Sequence, residues 1–367
     1  MKKKILIIAM LGLSYGKAHA QYLGLSNDEF AKLKTLINND ASVKKAFDSY
    51  KNKADKALND QPNPIDKIRS EGLLAGDPLK IKTQVAVEDV SKIFSLALVY
   101  RIDDNKACLD RASAYLLAWA KVNRSNGDPI DDTKLEELVT GYDMIRNDVT
   151  ADVQKATDKW LLSVLEDELN SKYMAPGKGT AHNNWNSHRI KILAMIAYTL
   201  HNTGYEKTIN KELETQIALN LYPDGSGYDF KERDALHYHI YTLEPLITAA
   251  SVIYRATGKD YFNYESDNGS SIKKSTDFLV PFVTGEKTHQ EFLNSNVAFD
   301  KKRAANGEKD YAAGALFKTA TGIHVLEQAA YFDSKYQAAA QKADQGGSHD
   351  SDWDVVLNKV RKPFGTK

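Results

Sequence analysis

Cysteine is almost absent from this chain of 367 residues, and net charge is absent altogether. Cys108 is the single cysteine, so no disulfide bond can form within the chain. Its apolar neighbours Ala107 and Leu109 favour a buried small side chain over a nucleophile. The formal net charge is +0, so no global field would attract a nucleic acid or an anionic membrane. We therefore expect no nucleic-acid partner, and an acidic polymer would need a local basic cleft.

The start of the chain lacks an apolar run long enough to cross a membrane. Three lysines at positions 2–4 precede a short apolar stretch over residues 5–13, whereas a spanning helix needs ~20 residues. Ala18 and Ala20 then supply the small side chains of a signal-peptidase site. We predict that residues 1–20 are a signal peptide cleaved after Ala20. The mature residues 21–367 would form one domain of a periplasmic or secreted protein, with no membrane insertion after cleavage.

Alternating β patterns are scarce, and residues 81–87 are the main stretch that predicts a strand. Apolar residues recur at helical spacing through most of the chain instead. Ser26 and Glu29 have the spacing of a capping box that opens the first helix. Helices are predicted over residues 26–37, 41–58, 90–100, 107–122, 135–145, 151–169, 188–200, 209–219, 236–256, 272–282, 312–332 and 353–360.

The connections between these helices favour one all-α architecture. Prolines and glycines over residues 62–78 indicate a long irregular connection. The predicted helices could form a bundle, a superhelical array or an α/α toroid, an incomplete barrel of antiparallel helix pairs around a central funnel. Unusual polar and aromatic side chains are concentrated in the connections at residues 173–185, 222–230 and 285–296. Binding residues often lie on loops held by a rigid scaffold, and in a toroid the loops at one end surround the mouth of the funnel. We therefore predict the toroid.

The first candidate site segment, residues 180–189, reads TAHNNWNSHR and leads into an apolar helix. The start of a helix favours an anion, because its free N–H groups and its dipole are positive there. Asn184 and His188 are four residues apart and share a helix face if the helix begins here. The alternative is an ordinary cap formed by Asn186 or Ser187. The density of polar side chains favours a site, and substrate binding is predicted for Asn183, Trp185, Arg189 and the nearby Lys178.

The second segment, residues 224–243, joins a glycine-rich turn to a helix with two different faces. An apolar stripe of Leu236, Ile240, Leu243 and Ile247 would face the core. A second row, predicted on the other side, contains Arg233, His237 and Tyr241 at positions i, i+4 and i+8. The alternative is a solvated helix face. His237, Tyr238 and His239 are predicted to bind substrate, with packing between helices as the alternative for Tyr238 and His239.

These residue types suit β-elimination beside a carboxylate. Asn, His or Arg would stabilise the charge that develops as C5 of a uronate loses its proton. A base takes that proton, and an acid protonates the leaving O4. In mannuronate and glucuronate H5 and O4 lie on the same side, so one tyrosine can do both if a neighbour lowers its pKa from about 10. This chemistry needs no metal, and no cofactor is expected. His237 and His239 would point apart on a helix, so they could not share a metal ion.

The sequence DALHYHIYTLEPL at residues 234–246 resembles the R-A-L-x-Y-H-x-Y-A-L-x-P-L stretch of alginate lyases with the α/α-toroid fold. Asn183-Asn184 resembles that family's Asn-Asn-His motif, and the similarity spans about residues 180–250. The resemblance implies a polysaccharide lyase in which Tyr241 is the catalytic tyrosine and Asn184 binds the uronate carboxylate.

Two positions depart from the family pattern. Trp185 stands where the family has histidine, and Asp234 stands where it has arginine. His188 and Arg233 are our candidates to supply the missing imidazole and guanidinium. The departures leave two polymers open, polymannuronate (alginate) and glucuronan.

Two other functions remain open at this point. A glycoside hydrolase on the same toroid would use two carboxylates, which Asp224, Asp229 and Glu232 could provide. A non-catalytic, exported glycan-binding protein would need aromatic and polar side chains without the aligned Arg, His and Tyr. Glu286, His289 and Glu291 are further residues that could line the cleft.

Overall fold

The computed structural model describes residues 22–347 and 349–366, so the predicted signal peptide lies outside the described residues. Helices dominate this part of the chain, and its two strands have two residues each. The helices are α1 Asn27–Asn39, α2 Ala41–Ala57, α3 Pro78–Asp103, α4 Lys106–Val122, α5 Pro129–Asp132, α6 Glu136–Ile145, α7 Ala151–Leu169, α8 Asn184–Thr199, α9 Glu206–Asn220, α10 Tyr228–Arg233, α11 Leu236–Thr257, α12 Ile272–Val283, α13 Ala298–Ala305, α14 Ile323–Ala329, α15 Lys335–Ala343 and α16 Trp353–Val360; the strands are β1 Gln290–Glu291 and β2 Ala315–Leu316.

The capping box predicted from Ser26 and Glu29 is confirmed. The Ser26 hydroxyl accepts the Glu29 backbone N–H at 3.3 Å, and the Glu29 carboxylate accepts the Ser26 N–H at 2.8 Å. Both groups satisfy backbone donors that the first turn of a helix leaves without partners. The side chains of Asp40, Asp77 and Asn183 also accept backbone N–H groups, at the starts of α2, α3 and α8. Most of the predicted helices therefore begin within a few residues of their expected positions.

The strand predicted over residues 81–87 is wrong, because these residues belong to α3. Asp77 caps this helix and Pro78 occupies its first turn, where a proline costs no hydrogen bond. The apparent alternation arises because Ile81 and Val85, one helical turn apart, are both about half exposed. Two exposed apolar residues thus imitated the period of a strand.

The single helix predicted over residues 312–332 is also wrong. Gly314 has a φ of +83°, which ends any helical path, and β2 follows and pairs antiparallel with β1. A helical turn over Thr319–Gly322 then leads into α14. At Gly322 an added Cβ would overlap Val283, so close packing requires glycine there. Only the last part of the predicted segment is α-helical.

The helices form the predicted α/α toroid. Successive inner helices α3, α6, α8, α11 and α14 pack side by side, and α2, α4, α7, α9, α12 and α15 pack outside them. Every residue of α8 except Trp185 is buried, as expected for a helix surrounded by others. The short helix α16 contacts α14 on one side and α1 and α2 on the other.

A cavity of about 360 Å³ occupies the centre of the toroid. Side chains from α3, α6, α8, α11, α14 and α16 line it, and His188 of α8 forms part of its wall. The toroid therefore places the start of α8 between this interior and the connections at one end of the ring. Among the described residues, no helix combines the length and the apolar character needed to cross a bilayer.

Candidate active site

Asn184 is held by a buried carboxylate at the start of α8. Asn183 caps the helix, so Asn184 is its first residue, and its side chain is 2% exposed. The Asn184 amide donates to one oxygen of Asp229 at 2.5 Å. The other Asp229 oxygen accepts hydrogen bonds from Asn220 at 2.8 Å and from Thr242 at 2.9 Å. Asp229 thereby fixes the orientation of the Asn184 amide and ties α8 to α11.

His188 lies one turn further along α8 and contacts Tyr241. The two ring centroids are 4.3 Å apart and the planes are inclined by 48°. Nδ1 of His188 lies 3.2 Å from the Thr133 hydroxyl, and its buried Nε2 has no hydrogen-bond partner among the described residues. Burial, followed by the charges of Lys191 and Lys134, lowers the pKa of His188 well below 6.5. The imidazole is therefore neutral at neutral pH and can accept a proton.

Tyr241 is half-buried on α11, and its pKa is raised rather than lowered. Burial is the main cause, and the negative charges of Glu71 and Glu244 add to it, whereas Arg303 acts in the opposite direction. The condition under which one tyrosine could serve as both base and acid, a pKa lowered by a neighbouring cation or imidazole, is therefore not met. The phenol keeps its proton and is available as a hydrogen donor.

The structure brings Asn184, His188 and Tyr241 together. Asn184 and His188 share a face of α8, as their spacing indicated, and Tyr241 precedes the Thr242 that shares Asp229 with Asn184. Within this small volume lie an amide donor, a neutral imidazole and a protonated phenol. Such a set can hold an anion, take a proton and give a proton.

Arg233 does not continue the row formed by His237 and Tyr241. α10 ends at Arg233, and Asp234 has a φ of +49° before α11 begins, so the predicted single helix face is interrupted. The Arg233 guanidinium pairs with Asp300 at 2.5 Å and lies 3.7 Å from the centre of the Tyr238 ring. Its charge is therefore already balanced by Asp300. The prediction that Arg233, His237 and Tyr241 form one row on a helix is wrong for Arg233.

Arg303 on α13 is the guanidinium that sequence reasoning missed. It donates to the Tyr238 hydroxyl at 2.7 Å and lies 4.6 Å from the centre of the Tyr311 ring. Its side chain is nearly buried, and its Nε has no hydrogen-bond partner among the described residues. His237 lies beside the same Tyr311, with ring centroids 5.8 Å apart. No motif around residue 303 signals this position, because only the fold brings α13 to the site.

Aromatic side chains flank the start of α8. Trp185 is half-buried, with its ring centroid 5.0 Å from that of Tyr173, and His182 lies 4.8 Å from Tyr228 in the same way. Lys178 is exposed, donates to the Lys172 carbonyl at 3.0 Å and lies 5.8 Å from the centre of the Tyr173 ring. These partly exposed rings are of the kind that stacks on sugars.

Two predicted substrate-binding residues face the protein interior instead. Arg189 is buried and donates to the Glu168 carbonyl at 2.8 Å, to Asn186 at 2.9 Å and to Glu212 at 3.1 Å. His239 is 1% exposed, with Nε2 3.0 Å from the Ser275 carbonyl. Burial lowers the pKa of His239 to about 4. Both arrangements correct the prediction of substrate contact, and for His239 the alternative of packing between helices fits.

Glu291 has a role in helix capping. Its carboxylate accepts the backbone N–H groups of Leu236 at 2.9 Å and His237 at 3.0 Å, at the start of α11. A carboxylate there balances the positive end of the helix that carries Tyr241. Of its neighbours in the same connection, His289 lies 3.1 Å from the Asp234 carbonyl, and Glu286 pairs with Lys342 at the surface.

An α/α toroid with a tyrosine, an imidazole and an oriented amide at the ends of two inner helices suits a polysaccharide lyase, and the family comparison shows that the protein is one. The profile described as "Alginate lyase" matches residues 38–289, more than half of the chain, and the chain belongs to this family. A search with this chain found no matching curated protein.

Solved structures share the fold. The chain is similar to an alginate lyase from Bacteroides ovatus, with a TM-score of 0.70 and 18% identity, covering 94% of this chain and 99% of that one. It is also similar to alginate lyase A1-III from Sphingomonas species A1, with a TM-score of 0.59, 17% identity and coverage of 94% and 97%. A variant of that enzyme, complexed with a tetrasaccharide, gives a TM-score of 0.58 at 16% identity, covering 92% of this chain and 96% of that one.

Proposed function

We propose that the protein cleaves a β-1,4-linked uronate polymer, polymannuronate or glucuronan, by metal-independent β-elimination. The observation that carries the proposal is the contact between neutral His188 and protonated Tyr241, one helical turn from the oriented amide of Asn184. The family's alginate lyases, one of them complexed with a tetrasaccharide, support an acidic polysaccharide or oligosaccharide as the substrate.

The uronate carboxylate would lie beside Asn184 at the positive end of α8. Asn184 would stabilise the negative charge that spreads onto the carboxylate as C5 loses its proton. Arg303, with its unpartnered Nε and its contact with Tyr238, is the cation available nearby in place of the arginine missing at position 234. Asp229 acts through Asn184 as a positioning residue.

The pKa shifts of His188 and Tyr241 favour a mechanism in which one residue accepts a proton and the other donates one. His188 is neutral and accepts the C5 proton, while Tyr241 keeps its proton and donates it to the leaving O4. The C5–H electron pair forms the C4=C5 double bond, and the C4–O4 bond breaks. Because the two rings are in contact, both transfers occur on one side of the sugar. This arrangement suits mannuronate and glucuronate, in which H5 and O4 lie on the same side.

The hydrolase alternative has less support from the carboxylates. Asp229 is buried and accepts three hydrogen bonds from Asn184, Asn220 and Thr242, so it is tied to a structural task. Asp224 bonds the Ser226 hydroxyl at 2.6 Å within its own turn. Both carboxylates are engaged within the protein, which disfavours Asp224 and Asp229 as the pair that a hydrolase needs.

A panel of polymers tests the substrate. Purified protein is incubated with polymannuronate, polyguluronate, glucuronan and hyaluronan, and the ultraviolet absorbance of the 4,5-unsaturated uronate is followed. We expect activity on polymannuronate or glucuronan and little on polyguluronate, whose H5 and O4 lie on opposite sides. Activity confined to polyguluronate would refute the one-sided arrangement.

Asn184→Ala is expected to lower kcat/KM, because it removes a donor to the developing charge. The loss should correspond to about 2–4 kcal/mol of transition-state stabilisation. Steady-state kinetics on the best polymer of the panel measures this loss. Asn186→Ala is the matched control: Asn186 lies on the same helical turn but bonds Gln216 and Arg189 inside the protein. It should lower stability while kcat/KM stays near that of the wild type; equal losses in both variants would show that Asn184 has only a structural role.

We also propose that the protein is exported to the periplasm or the medium. The basic start, the short apolar stretch and the Ala18–Ala20 site of residues 1–20 support this. Amino-terminal sequencing of the protein recovered from the periplasm or medium should begin at Gln21, and a chain that keeps residues 1–20 in the cytoplasm would contradict it.

A further inference from the structure

Three potential metal ligands meet where α16 joins α14. Glu327 is on α14, and His349 and Asp352 immediately precede α16. One ligand atom from each residue lies within 4.8 Å of the other two. We propose that Glu327, His349 and Asp352 bind a divalent transition-metal ion of the zinc type, which fastens the C-terminal helix to the toroid.

The state of the Glu327 side chain points to a missing positive charge. Glu327 is 1% exposed, and its Oε2 is buried without a hydrogen-bond partner among the described residues. The four charged groups with the largest effect on Glu327 are all aspartates, at positions 344, 350, 352 and 354. A buried carboxylate surrounded by carboxylates is costly unless a cation or a proton compensates it.

The donor set indicates which ion. Ca²⁺ and Mg²⁺ prefer oxygen ligands alone, whereas an imidazole nitrogen with two carboxylates is typical of zinc and related ions. Nδ1 of His349 already lies 2.6 Å from the Asp352 carboxylate, so these two side chains are turned toward each other. Three protein ligands leave a position for water. The nearby His324 pairs with Asp354 at 3.0 Å and is not part of the group.

Such an ion would join two elements that close the ring. α16 contributes Trp353, Asp354 and Leu357 to the wall of the central cavity, and α14 contributes His324 and Gln328. Binding to the folded protein alone would stabilise it in proportion to the logarithm of the metal concentration. The inference is independent of the proposed catalytic function, since none of the three ligands belongs to the Asn184–His188–Tyr241 cluster.

The experiment uses the full mature chain, stripped with a chelator and then dialysed against zinc chloride alone. We expect equimolar retained zinc by elemental analysis and a thermal midpoint that rises with zinc concentration. Changing an outer partner of a metal ligand already costs about 10–100-fold in affinity, so Glu327→Gln and His349→Gln should each weaken zinc binding at least that much. His324→Gln, a matched change on α14, should retain the wild-type affinity.

Two outcomes would overturn the inference. One is a wild-type protein that retains no zinc and whose thermal midpoint does not change with zinc concentration. That result would mean that protonation of Glu327 and the His349–Asp352 pair stabilise the cluster without a metal ion. The other is zinc bound equally well by the wild type, Glu327→Gln and His349→Gln, which would place the ion elsewhere. The first outcome is decided by the wild-type protein alone. The inference can therefore be refuted even if a variant fails to fold.

Discussion

Tyr241→Phe is expected to lower kcat by about 10²–10⁴ while substrate affinity changes little. The substitution removes the hydroxyl that donates a proton to O4. It keeps the ring that contacts His188 at 4.3 Å and Tyr238 at 6.1 Å, so the shape of the site is preserved. Initial rates from the absorbance of the unsaturated product give kcat, and calorimetric titration with a mannuronate oligosaccharide gives the affinity.

Tyr198→Phe serves as the control for this variant. Tyr198 is a buried tyrosine near the end of α8, and its hydroxyl has no hydrogen-bond partner among the described residues. Loss of that hydroxyl should leave kcat near the wild-type value. If Tyr241→Phe also turned over within tenfold of the wild type, Tyr241 would not be the acid.

His188→Gln is expected to lower kcat/KM by about 10²–10⁴, because it removes the proposed base. The wild-type pH profile should carry the signature of the same group. A base works only when unprotonated, and burial holds the pKa of His188 well below 6.5. Activity should therefore persist as the pH falls through 6.5 and be lost only at lower pH, where the imidazole becomes protonated.

The control for this prediction is His324→Gln, which changes a half-exposed histidine that pairs with Asp354 at 3.0 Å. It should change neither kcat/KM nor the acid side of the pH profile. An acid limb of the wild type centred at 6.5 or above, or the same limb persisting in His188→Gln, would contradict the assignment of the base to His188.

Helix periodicity and capping predicted most of the fold, because both act over a few residues. The Ser26–Glu29 box and the spacing of Asn184 and His188 depend only on helix geometry, and the structure shows both. Residues 81–87 were predicted as a strand because the exposed apolar side chains of Ile81 and Val85 give the sequence an alternating pattern. The break at Asp234 was missed because neither glycine nor proline marks it, although its backbone is left-handed.

The rest of the site depends on contacts between distant parts of the chain. Arg303 reaches Tyr238 across 65 residues of sequence, and Asp229 reaches Asn184 across 45. The direction of the Tyr241 pKa shift could not be predicted from the sequence for a related reason. A neighbouring cation is visible in a sequence motif, but the burial that raises this pKa depends on how α8 and α11 pack.

The most direct test of elimination is the ratio of unsaturated ends to new reducing ends in one digest of polymannuronate or glucuronan by the wild-type protein. Ultraviolet absorbance counts the C4=C5 double bonds, and a reducing-sugar assay counts the cleaved linkages in the same sample. Proton removal from C5 with departure of O4 predicts one double bond for each new reducing end. New reducing ends without the double bond would contradict the account.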